Sequence, residues 1–232
     1  MKTQVARNWK LGRTELQVTP QRGETLDVSG ANWLTHVNSA YLLPVDYDPD
    51  KARSSKLQLA YDITGLKALK RRLPRVWDQD GYYTVLEGIE RVATECASGT
   101  RLIERILFDI DHVYLTEQDE PRFIYVPLDG VAYDATQNSP LLVLGALSSR
   151  RLRFDSQACS TISERLRKFV LTKGVFSLND FRGFLDDEFP EIRRSSTQKT
   201  ALWDTDKTPA ADADQIAFMD SLFSSFDSGE DA

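Results

Sequence analysis

Apolar positions along the first third of the chain come in short bursts separated by turn formers: Trp9 to Leu11, Leu16 to Val18 and Leu26 to Val28, broken by Gln21-Arg22-Gly23 and Ser29-Gly30. Bursts of that length between turn signals predict a meander of short strands. Ser29 or Asn32 is placed to cap a short helix through Trp33, Leu34 and Val37. Tyr41 to Val45 and Leu57 to Tyr61 then read as two further strands around a polar loop at Asp46 to Ser55. The middle third changes period. Tyr82, Val85, Leu86, Ile89, Val92, Ala93 and Cys96 recur every three or four residues, the stripe of a long helix with Asp80 at its start and Gly99 past its end. Val113 to Thr116 and Arg122 to Val126, separated by the acidic turn Glu117 to Pro121, predict a hairpin. Two more helices follow: one striped by Ala158, Cys159, Ile162, Leu166, Phe169 and Val170, the other opened by the capping-box pattern Ser177 to Asp180 and stopped by Pro190.

The order is thus a β-rich segment over residues 1–66, a largely helical segment with an embedded hairpin over 67–192, and a tail from 193 onward. The tail holds four basic and eight acidic residues, a net of −4 out of −6 for the whole chain. Its Ser, Thr, Asp and Ala content gives it little surface to bury, so a folded unit is expected to end near Arg193. Near its end Ile216, Met219, Leu222, Phe223 and Phe226 fall on one face at helical spacing, an amphipathic segment over 215–226. It could fold into a partner's groove, pack back on the domain, or begin a further domain.

Charge and composition narrow the function classes. A net charge of −6 removes the long-range attraction that polyphosphate binding uses, so no nucleic acid is expected as partner. No run of apolar residues is long enough to span a bilayer, and Met1 to Lys10 lacks the apolar core of a secretory signal, so a cytoplasmic chain without membrane insertion is expected. Cys96 and Cys159, alone and far apart, read as buried small hydrophobes rather than a disulfide or a zinc site.

A strand-rich small lobe with one helix, a connecting segment, a long helix and a hairpin beneath it resembles the protein-kinase fold. Asn32 to Asn38 falls where the small lobe's helix belongs, Leu57 to Leu69 where the last strand, hinge and first short helix belong, and Tyr82 to Ser98 where the central helix belongs. Leu107 to Leu115 matches the catalytic loop and the strand after it, and Arg122 to Gly130 the metal-binding strand. The pairing of Tyr61-Asp62-Ile63-Thr64-Gly65 with Phe123 to Leu128 more closely resembles a Gram-positive bacterial family of kinase-like domains without established activity. Members often precede a forkhead-associated, phosphothreonine-binding domain, and they are related to the cytoplasmic domain of the EssB/YukC subunit of type VII secretion systems. The resemblance spans Trp9 to Phe189 and implies an α+β, two-lobed pseudokinase-like fold.

The chemistry of that fold does not follow with it. Phosphoryl transfer needs a glycine-rich phosphate cradle, a lysine on the phosphates, a base and magnesium ligands. The sequence has no Gly-x-Gly, no Walker motif and no Val-Ala-x-Lys strand. In the alignment that the resemblance implies, His112 stands at the metal-binding Asn, Leu107 or Phe108 at the base, and Val126-Pro127 at the metal-binding Asp, with Asp129 just beyond. Asp109 and Asp111 beside His112 have the residue types of a divalent-ion site, but alternate residues on a loop bordering a strand commonly cap turns or face solvent. His36 has no evident partner. The expectation is therefore no catalytic residues, no cofactor and no metal: a pseudokinase-like scaffold that engages protein partners. The alternatives are a divergent nucleotide-binding phosphotransferase using Asp109, Asp111 or Asp129, and an unrelated α+β regulatory protein.

Partner binding has two candidate regions. Lys67, Lys70, Arg71, Arg72 and Arg75 crowd onto a short helix ended by Pro74, suited to an acidic partner or to peripheral attachment at an anionic membrane surface. Arg150, Arg151 and Arg153 form a smaller second cluster. The other region is the tail face with Met219, Leu222, Phe223 and Phe226, preceded by Thr205 and Thr208 as candidate phosphorylation sites.

Overall fold

In the computed structural model, which describes residues 1–52, 54, 56–131 and 138–194, the chain starts with an antiparallel hairpin. Strand β1 (Lys2–Asn8) pairs with β2 (Arg13–Thr19) from Lys2↔Thr19 to Asn8↔Arg13. Trp9 to Leu11, expected as a strand, lies instead in the turn, which Gly12 closes at φ 66°. The strand that precedes it escapes pattern reading for a physical reason. β1 is an edge strand held by its backbone ladder, with most side chains exposed, so burial imposes no alternation on it.

Strand β3 (Thr25–Leu26) leads into helix α1 (Val28–His36). Asp27 caps it by accepting from Gly30 N at 2.9 Å, so Ser29 and Asn32 lie inside the helix rather than at its start. Strands β4 (Val45–Asp46) and β5 (Leu59–Asp62) complete an antiparallel sheet in the order β1-β2-β5-β4. Of the strand expected over Tyr41 to Val45, Leu42 keeps a bridge to Phe123 and Val45 enters β4; Pro44 between them has no N–H to donate. Leu16, Val18, Val45, Leu59 and Tyr61 form the buried side of this sheet. Tyr61 donates from its hydroxyl to the carbonyl of Tyr125 at 2.7 Å and so ties the sheet to the segment after the later hairpin.

Strand β6 (Lys67–Ala68), helix α2 (Leu69–Arg72) and strand β7 (Val76–Trp77) connect to the long helix α3 (Gln79–Ser98). The expected stripe from Tyr82 to Cys96 is its buried face. Its cap is Asp78, which accepts from Gly81 N at 2.7 Å, rather than Asp80, which sits in the first turn near the positive end of the helix. The hairpin contracts to β8 (Tyr114–Leu115) and β9 (Pro121–Arg122) in a three-stranded sheet ordered β6-β8-β9, with Asp119 at φ 60° in its turn. Phe123 to Val126 are buried as expected, but leave the ladder to make bridges.

Strand β10 (Leu128–Asp129) returns to pair with β3. Helix α4 (Pro140–Leu147), capped by Ser139, was not anticipated. Its sequence PLLVLGAL is apolar all round, so it has no stripe for a period to reveal. Strand β11 (Arg153–Phe154) then pairs in parallel with β7, and α5 (Gln157–Thr172) and α6 (Leu178–Glu188) follow as expected. Tyr82 of α3 donates to the carbonyl of Leu147 at 2.7 Å, fixing α4 to the central helix.

The chain divides into two compact units, Met1–Glu188 and Phe189–Ala232. Of the second, the described residues are 189–194, helical from 190. Cys96 and Cys159 are both free and buried, and burial pushes each thiol up to about 12. No described helix is long and apolar enough to cross a membrane.

Candidate functional site

Two cavities in the first unit collect the residues singled out above. The larger, about 470 Å³, lies between the β1–β2 face (Thr3, Val5, Thr14, Leu16) and the segment Ile63 to Ala68, and is floored by Lys70, Asp111, His112 and Tyr114. Of the carboxylates Asp109, Asp111 and Asp129, only Asp111 lines it.

Each of them is engaged by the protein itself. Asp109 accepts from the backbone N–H groups of Asp111 at 2.8 Å and His112 at 3.0 Å, closing a turn. Its other oxygen accepts from His112 Nδ1 at 2.6 Å. Burial pushes the Asp109 carboxyl up, but His112 and the two N–H donors outweigh it and hold the group below its usual value. On the other side of the ring, His112 Nε2 lies 3.2 Å from the Thr3 hydroxyl, which joins the first strand to the loop. Asp111 pairs with Lys70 at 3.1 Å.

Asp129 pairs with Arg105 at 2.7 Å, and the same guanidinium holds Asp27 at 2.6 Å. One arginine therefore locks the cap of α1 to the end of β10. Among the described residues no group of three His, Cys, Asp or Glu side chains is arranged to hold a metal ion. His36, for which the sequence suggested no partner, contacts the carbonyl of Asn32 at 2.7 Å through Nδ1.

The second cavity, about 290 Å³, is lined by Lys67, Arg71, Arg72, Arg75, Val76, Leu115, Thr116, Glu117 and Asp119. The five cations expected as one docking helix separate into two kinds. Lys70 is committed to Asp111. Arg72 is a structural post: its Nε reaches both Asp119 oxygens at 2.9 Å, its Nη1 donates to the carbonyl of Val76 at 2.9 Å, and its guanidinium stacks 3.9 Å from the Trp77 ring centre. Lys67, Arg71 and Arg75 are exposed and make no ion pair among the described residues. Lys67 lies on β6 and Arg75 past α2, so the expected single helix supplies Lys70, Arg71 and Arg72 alone.

The second basic cluster, far away in sequence, is joined to this region by a strand pairing. Parallel pairing of β11 with β7 sets Arg153 opposite Val76. Arg153 also donates to the carbonyl of Pro74 at 2.6 Å. Arg150 and Arg151 are exposed in the turn just before that strand. Met219, Leu222, Phe223 and Phe226, like Thr205 and Thr208, lie outside the described residues.

No family model and no curated protein matches the chain. Solved structures do. A plant pseudokinase in its apo form superposes with a TM-score of 0.52 at 10% identity, over 80% of this chain and 86% of its own. The chain has a protein-kinase-like fold. A mutant of the Neurospora crassa PAN3 pseudokinase matches 95% of this chain at 9% identity with a TM-score of 0.48, and this chain spans 62% of that one. At such identities the likeness speaks for the fold alone. The strand-rich beginning, the helix α1 inside it, the long α3 and the short hairpin occupy the order expected of that fold.

Proposed function

We propose that this kinase-fold chain is a non-catalytic interaction module that assembles a complex with protein partners. The observation that carries the reading is the state of the acidic groups nearest to a kinase's chemistry. Asp109 is spent on a turn and on His112, Asp111 on Lys70, and Asp129 on Arg105. A magnesium nucleotide needs unpaired oxygen ligands, and each of these would have to break an internal bond to supply one. That the plant protein superposed above is called a pseudokinase agrees with the reading.

In this proposal the partner-binding residues are the unpaired Lys67, Arg71 and Arg75, with Lys70 and Arg72 holding the scaffold beneath them. The tail residues Met219, Leu222, Phe223 and Phe226 form a second contact. The sequence resemblance to kinase-like domains of Gram-positive bacteria suggests where such a module works: a cytoplasmic complex of type VII secretion or of forkhead-associated, phosphothreonine signalling. That setting rests on the resemblance.

The test is a thermal-shift titration of the full chain with Mg-ATP and Mn-ATP. No saturable shift is expected. A saturable stabilisation that Asp111→Ala or Asp129→Ala weakens would replace the reading with a divergent phosphotransferase.

A further inference from the structure

A cluster of like charges that has no internal partners does nothing for the fold that holds it. Lys67, Arg71 and Arg75 are spaced four residues apart and surround the 290 Å³ cavity. Of the carboxylates lining the same cavity, Asp119 is consumed by Arg72, leaving Glu117 as the one acid without an ion pair among the described residues. Three unpaired cations therefore face one carboxylate. The β7–β11 pairing sets Arg153 against Val76 of the cavity wall, and Arg150 and Arg151 are exposed in the turn that leads into that strand. Lys67 on β6, Arg71 on α2 and Arg75 just past it line one cavity, and like charges gathered there repel one another. An anion that enters between them turns that repulsion into attraction.

Among anions, the shape of the face discriminates. A bilayer presents a plane and is gripped by apolar side chains at the rim, whereas this site is concave and Val76 is its exposed large apolar residue. A phosphoryl group on a peptide carries about −1.5 to −2 charge and three acceptor oxygens in a compact volume, and guanidinium groups match it with paired N–H donors.

We propose that this composite face binds a phosphorylated serine or threonine within an acidic protein segment. Arg71 and Arg75, with Lys67, take the phosphoryl group in the cavity. Arg150 and Arg151 take the carboxylates that flank it. The inference rests on the reading of the chain as an interaction module and names what that module recognises.

The test uses the full chain and two immobilised peptide libraries with random acidic flanks, one around a fixed phosphoserine and one around serine. Retention on the phosphoserine library is expected to exceed that on the serine library by about tenfold or more, and to fall steeply with salt. Arg71→Ala with Arg75→Ala should abolish the difference, and Arg150→Ala with Arg151→Ala should weaken retention on both libraries. Lys168→Ala, an exposed cation on α5, should change neither. All these positions are exposed, and an unchanged melting temperature confirms that the variants fold. Equal retention on the two libraries, no retention on either, or indifference to the Arg71 and Arg75 substitutions overturns the proposal. So does stronger binding to vesicles containing phosphatidylserine and a phosphoinositide than to the phosphoserine library. Those results leave the nucleotide titration unaffected, so the two readings fail separately.

Discussion

Helix α3 is pressed against the hairpin at one point where the sequence permits no side chain. A Cβ added at Gly88 would stand 3.0 Å from Cδ of Pro121 and closer still to its Cγ. Two carbons sit comfortably at about 3.5–4.0 Å, and a proline ring cannot swing aside as a flexible chain would. Gly88→Ala must therefore push α3 away from β9. Overpacking of this kind costs on the order of 1–3 kcal/mol. Against it stands the intrinsic preference of a helix for Ala over Gly, about 1 kcal/mol in the opposite direction. Gly183 in α6 isolates that second effect, because a Cβ there meets nothing within 4 Å. The expected results are a net loss of up to about 2 kcal/mol for Gly88→Ala and a gain of about 0.5–1 kcal/mol for Gly183→Ala. Urea unfolding followed by tryptophan fluorescence reads both as shifts in midpoint with unchanged slope. If Gly88→Ala is as stable as Gly183→Ala, the close approach of α3 to the hairpin is wrong.

Three further outcomes are expected. Arg72→Ala should destabilise the fold by about 2–3 kcal/mol through its lost carboxylate fork and ring stacking, and Arg72→Lys should recover less than half in the same urea assay. Burial raises the Glu15 carboxyl, but hydrogen bonds from Arg13, Asn8 and Gln17 prevail and lower it below 4.5. Its contribution is thus present above the unfolded value and lost as pH falls through the lower folded one, and Glu15→Gln should flatten the acid limb of a stability-versus-pH curve. Cys96 and Cys159 should resist a thiol reagent at neutral pH in the folded chain and react in urea, measured by absorbance of the released chromophore.

Helical period was legible in the sequence, whereas the caps of α1 and α3 fell on Asp27 and Asp78 rather than on the residues expected. The stripes of α3, α5 and α6 each bury one face against a shared core, and a one-sided helix announces itself. α4 buries one face, Pro140, Val143, Leu144 and Leu147, but its other face is apolar too, with Leu142 exposed, so its sequence has no such signature. β1 has the opposite problem, since an exposed edge strand needs no apolar alternation at all. The strands of two residues fell below the length at which alternation means anything.

The candidate sites divided along similar lines. Asp109 had been legible as a turn cap from its position before a strand. The fate of Arg72 was hidden, because its partners Asp119 and Trp77 come from a turn and a strand whose meeting is a tertiary fact. The union of the two basic clusters was hidden more deeply. A parallel pairing between strands far apart in sequence leaves no local trace in either.

That pairing also bears on when the basic face exists. The cations at either end of it are neighbours only after the chain has closed a long loop, crossed α3 and the hairpin, and laid Arg153 against Val76. Local helices form early and such distant closures come late. A ligand spanning both clusters would therefore select finished molecules over partly folded ones, and its affinity would be drawn from the stability of the whole unit.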